Sequence, residues 1–125
     1  MSIRTSIANN KVAKDFFMKH LSDFYPNGSE FVLKEVKPNF EYHNNKRTDQ
    51  VQSISYRVVD TISFDTFVVK VKETTPIITQ QELEARDMPV YIQFPLEQTI
   101  VKPYALEFAT AKVSIVAPHV EFIES

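Results

Sequence analysis

Between Phe40 and Lys72 the chain reads FEYHNNKRTDQVQSISYRVVDTISFDTFVVKVK, with Tyr42, Lys46, Arg47, Tyr56, Arg57, Lys70 and Lys72 interleaved as rings and cations. Rings stack on nucleobases and nearby cations neutralise phosphates, so a β-surface of this composition suits a single-stranded nucleic acid. The competing reading has no chemistry in it: the same residues would also serve as an ordinary barrel wall with a solvated outer face.

Little else in the chain is reactive. His20, His43 and His119 are scattered without metal-ligand spacing, and there is no cysteine to supply thiolate chemistry, a disulfide or a zinc site. A single glycine, Gly28, excludes a glycine-rich phosphate loop, and no GxSxG nucleophile motif occurs. Glu82, Glu84 and Asp87 read as solvated charges of one short helix. The expectation is a protein that is not an enzyme and needs no metal or cofactor.

The 125 residues fit one domain, 43% hydrophobic and 24% charged, in the range of a globular core with a soluble surface. A net charge of −2 argues against binding nucleic acid by global charge but leaves room for a basic face. Residues 43–72 carry five bases against three acids, whereas residues 73–99 carry one base against five acids. No apolar run is long enough to span a membrane, and the N-terminal residues lack the apolar centre of a signal peptide. A cytoplasmic protein is expected.

Several elements must position the ring-and-cation stretch. Ala13, Phe16, Phe17, Leu21 and Phe24 recur at helical spacing, which predicts a helix over residues 10–25, ended by Pro26-Asn27-Gly28. FVLKEV begins the first strand, with Pro38 marking an edge or bulge, and Phe40 and Tyr42 continue it. His43 to Asp49 reads as a projecting polar loop. Val51–Asp60 and Ser63–Lys72 alternate as strands joined tightly around Asp60–Ser63. Thr79-Gln80-Gln81-Glu82 is a capping box ahead of a short helix that Pro89 stops. VYIQF, a short TIV, YALEFATAKVSIVA and HVEFI return to strand.

The fold class predicted is mainly β with short helices. Without the N-terminal helix and the last short strand, the order β-β-β-α-β-β over residues 30–123 is that of an OB-like five-stranded Greek-key barrel. That fold binds oligonucleotides on the face of its second and third strands, flanked by the first–second and fourth–fifth loops. Strand parity sets Ile54, Tyr56 and Val58 against Ser53, Ser55 and Arg57, so Tyr56 and Arg57 cannot line one surface. The phosphate candidates are therefore Lys46, Arg47, Arg57, Lys70 and Lys72, and the stacking candidates are Phe40, Tyr42 and Tyr91.

YRVVDTISFDTFVVKVKETTPIIT, PVYIQF and KPYALEFATAKVSIVAPHVEFI resemble the small OB-fold accessory proteins of conjugative plasmids and integrative elements in Gram-positive bacteria. These are single-stranded DNA-binding proteins and helicase-processivity factors. The resemblance covers roughly residues 30–123 and rests on strand rhythm and the VSIVA-type closing strand. It implies a binder of single-stranded nucleic acid, expected to be DNA, with low sequence specificity, accessory to replication or conjugative transfer. Further partners would be a second copy or replication and transfer proteins. The alternatives are a structural or interaction subunit of a phage or secretion apparatus, and a small-ligand-binding barrel.

Overall fold

A computed structural model describes residues 19–25, 30–107 and 110–123, the side chains of 103–107 and 110–112 excepted. The described residues are mainly β and form one eight-stranded sheet. Its strands are β1 (Lys19–His20), β2 (Phe31–His43), β3 (Lys46–Asp60), β4 (Thr66–Val71), β5 (Tyr91–Gln93), β6 (Ile100–Glu107), β7 (Thr110–Ala117) and β8 (Glu121–Phe122). One short helix, α1 (Gln80–Glu84), lies between β4 and β5, and a 3₁₀ turn covers Leu21–Asp23.

The spatial order is β1-β6-β7-β4-β3-β2-β5-β8. β2, β3 and β4 form an antiparallel meander, and β5 returns through α1 to pair antiparallel with β2. That is a Greek-key arrangement. β7 then pairs in parallel with β4, through Lys70↔Val116 and Val71↔Ala117.

The expected OB-like five-stranded Greek-key barrel is corrected: among the described residues the sheet has eight strands and does not close, with β1 and β8 at its edges. It is nonetheless strongly curled. β5 and β6 stand five places apart, about 24 Å across a flat sheet at ~4.8 Å per strand. Only residues 94–99 connect them, and Gln98 and Thr99 both donate to the Pro95 carbonyl in a turn that shortens this link. The two ends of the sheet must therefore approach each other. Leu21 N–H donates to the Thr99 carbonyl (2.8 Å) and Ser22 N–H to that of Leu96 (3.0 Å), tying the start of the described chain to the same connection.

Alternation on the meander creates the core. Phe31, Leu33 and Val36 on β2, Ile54, Tyr56 and Val58 on β3, and Phe67, Val69 and Val71 on β4 are all buried. Curling closes that face over Ile92, Phe94, Val101, Ile115 and Ala117, with Leu21, Phe24 and Tyr25 at one side. Phe31 is the hub of the rings, 5.4 Å from Phe67, 5.7 Å from Tyr25 and 5.8 Å from Phe94 between centroids.

Tyr56 is buried, and its hydroxyl accepts from Ile77 N–H (2.9 Å), pinning the β4–α1 connection. Burial raises its phenol above the ordinary range; the Ile77 hydrogen bond opposes this, and the charge of Glu73 adds to it. Tyr56→Phe is expected to cost about 1–2 kcal/mol in urea unfolding, because Ile77 N–H loses its acceptor. A raised phenol pKa stabilises the fold fully below the unfolded value, and this contribution is lost as pH rises above it. The variant should therefore lose part of the wild-type decline in stability at alkaline pH.

Three local expectations change. Residues 10–18 of the expected N-terminal helix lie outside the described residues, but Lys19 and His20 pair with β6 and Leu21–Asp23 form a 3₁₀ turn. The polar loop shrinks to Asn44-Asn45, both at positive φ (53° and 66°), a tight turn whose twist matches the strands it joins. Lys46 to Asp49 therefore belong to β3. YALEFATAKVSIVA is divided between β6 and β7, which pair antiparallel, and Pro103 lies inside β6 where the register shifts.

Candidate nucleic-acid interface

β2 continues through Pro38 because that stretch borders no strand on one side. Among the described residues β5 reaches β2 only at Phe31 and Val32. Leu33 N–H then donates to the Val90 carbonyl and Val36 N–H to Gln80 Oε1 (2.7 Å), so α1 covers the next part of the edge. Helix α1 itself starts at the expected capping box: Thr79 accepts from Glu82 N–H, and the Thr79 hydrogen bonds hold the Glu82 carboxyl below its ordinary range. Beyond this covered stretch, a proline costs the sheet nothing because no neighbouring strand needs its N–H.

β4 pairs with β3 only over Ile54–Val59. Among the described residues, 39–43 and 46–53 consequently pair only with each other, as a two-stranded ribbon reaching about 15 Å past the sheet at ~3.3 Å per residue along β2. Its register is irregular. Tyr42 stands opposite Arg47 and Phe40 opposite Val51, so Thr48, Asp49 and Gln50 bulge across from Glu41. Thr48 organises the bulge: its hydroxyl donates to the Glu41 carbonyl (2.9 Å) and accepts from Gln50 N–H (3.2 Å).

That bulge places Arg47 on the same face as Phe40 and Tyr42. The Arg47 guanidinium lies 3.9 Å from the centre of the Phe40 ring, a cation–π contact. Phe40 is half-buried, while Tyr42 is 68% exposed. With Lys37, Pro38 and Asn39 these residues line an open depression of about 410 Å³. Lys46, although adjacent to Arg47 in sequence, faces the opposite way with His43, because neighbours on a strand alternate. The expected Lys46-Arg47 pair is thus separated onto two faces.

A second basic surface occupies the outer face of the meander. Cross-strand rows run Glu35–Arg57–Val68 and Lys37–Ser55–Lys70, all solvent-accessible, with Asn39–Ser53 beyond. Asn39 Nδ2 donates to Ser55 Oγ (2.8 Å) and to Ser53 Oγ (3.1 Å), fixing the polar floor between the cations. Glu35 stands directly across from Arg57 and cancels part of its field. Lys72 is exposed just past the end of β4.

Arg57 and Lys70 are therefore brought together as expected, with Lys72 near them along the chain. Lys46 is not: its partner His43 is eight residues from Glu35 along β2, about 26 Å at ~3.3 Å per residue. Tyr91 is separated by a similar distance from Phe40, since it pairs with Val32 at the far end of β2. Sequence reasoning missed Lys37, which lines both the ribbon depression and the outer-face groove with Arg57. Its parity with Asn39 was the available signal, and the edge or bulge read at Pro38 concealed it.

No group of three or more His, Asp or Glu among the described residues could hold a metal ion, and no described helix is long and apolar enough to cross a membrane. In comparison with known proteins, no family model, no curated protein and no solved structure matches the chain.

Proposed function

We propose that this chain binds single-stranded nucleic acid, DNA in the first instance, with little sequence preference. One observation carries the reading: Arg47 is stacked on Phe40 beside the exposed ring of Tyr42, on a ribbon that projects from the sheet. Rings accept any base, and Lys37 joins this cluster to the Arg57–Lys70 face, where a backbone could follow the cations. The Greek-key meander and the intervening helix support an OB-like, partly open relative of the five-stranded barrel. In that fold the first–second loop and the second–third strand face hold the ligand, here the ribbon and the outer meander. The resemblance in strand rhythm extends the proposal to a cytoplasmic accessory protein in replication or conjugative transfer of a mobile element.

Fluorescence anisotropy with labelled single strands of deoxythymidine and of uridine, titrated with salt, tests this. Binding should weaken linearly in log–log form. The double variant Arg57→Ala/Lys70→Ala should flatten the slope by about 1.4, since each phosphate neutralised on a single strand contributes ~0.7. Glu35→Gln should tighten binding by removing the acid opposite Arg57. No binding to either strand at low salt overturns the proposal, and an unchanged slope removes Arg57 and Lys70 from the interface.

A further inference from the structure

The end of the sheet opposite the ribbon carries a different surface. The β3–β4 turn is held from several directions. Buried Asp60 accepts through Oδ2 from the N–H and hydroxyl of Ser63, and its own N–H donates to the Asp65 carbonyl (2.9 Å). Phe64 N–H donates to the Asp60 carbonyl (2.8 Å), and Thr61 donates its N–H and its hydroxyl to the Glu30 carbonyl. Within this fixed turn Phe64 adopts φ 62°, a conformation unfavourable for a bulky residue, and its side chain is 76% exposed. The fold thus holds a strained aromatic residue out in water.

Phe64 is not isolated. It lines one depression with Tyr91 and Thr61, and the same two residues line an adjoining depression with Met88 and Phe122. Met88 is 76% exposed, and Tyr91 and Phe122 39% each. Taking ~200 Å² for each large side chain, the four apolar residues present about 450 Å² to solvent, the size of the largest apolar patch on a typical monomer, which is often functional.

We infer that this patch is the contact between two copies of the chain, related by a two-fold axis. The rim carries both signs, Glu30 against Lys34 and Arg86. Among the described residues none of these three is in an ion pair. A two-fold contact applies one surface to itself, so a mixed rim lets the bases of one copy meet the acid of the other. The apolar centre alone supplies more than half of the ~800 Å² per partner of a standard interface.

Sedimentation equilibrium on the full chain without nucleic acid tests the inference independently of the binding proposal. The expected result is reversible association to twice the chain mass. Phe64→Asn keeps a residue that tolerates the left-handed conformation while removing the ring. It and Met88→Asp should each weaken association about tenfold or more, with far-UV circular dichroism unchanged. Arg86→Glu should weaken it, and adding Glu30→Arg should restore it. A chain that stays monomeric at about 100 μM, far above the dissociation constant of a standard-size contact, overturns the inference. So does a dimer insensitive to both Phe64→Asn and Met88→Asp.

Discussion

Replacing Phe40 and Tyr42 together with alanine is expected to weaken binding to a single strand about a hundredfold, as each stacked base contributes roughly 1–3 kcal/mol. The effect exceeds that of losing a cation because it removes two things at once. Tyr42 is the exposed platform, and Phe40 is the surface that holds the Arg47 guanidinium 3.9 Å from its ring centre. Without Phe40 the arginine regains rotamer freedom and must be ordered by the ligand. The salt dependence should change much less than the affinity, because rings displace no counterions. Stability should barely move, since the ribbon pairs only with itself and contributes few core contacts. The same anisotropy titration checks all three; affinity within threefold of wild type, about 0.6 kcal/mol or less, would exclude the ribbon from the interface.

Phe31→Ala has the largest expected effect on the fold, about 3–5 kcal/mol, the usual cost of emptying a buried aromatic position. Phe31 has no exposed surface, and three other rings contact it from three parts of the chain: Tyr25 before β2, Phe67 on β4 and Phe94 after β5. Those rings come from different parts of the chain and cannot collapse together to fill the gap. For a domain stabilised by about 5–15 kcal/mol the loss is a large fraction of the whole. Equilibrium urea unfolding measures it. A loss under about 1.5 kcal/mol would mean the core is plastic enough to repack.

What the sequence made legible was local. Alternation set Ile54, Tyr56 and Val58 apart as one face, which is buried, and Thr79 with Glu82 marked the helix start. The ribbon was hidden because Lys46 to Gln50 has a loop's composition. It is strand because Asn44 and Asn45 turn the chain tightly enough to pair it with β2. The separation of Lys46 from Arg47 followed as soon as those residues became strand. The division of YALEFATAKVSIVA was equally concealed, since β6 and β7 share a continuous β-favouring composition. Tyr91 was misplaced for a non-local reason: which end of β2 receives β5 depends on pairing between residues about sixty positions apart.

The parallel pairing of β4 with β7 also bears on how the chain reaches this state. β2, β3 and β4 are joined by short turns, so their contacts are local and can form early. β7 arrives only after some forty further residues, and β6 lies beyond it in the sheet. Until then the meander carries Val58, Val69 and Val71 on a face that Ile115 and Ala117 have yet to cover. During synthesis this face would be open to chaperones or to another nascent chain. Refolding should accordingly be limited by the docking of residues 100–117, and a chain ending before them would be prone to aggregate.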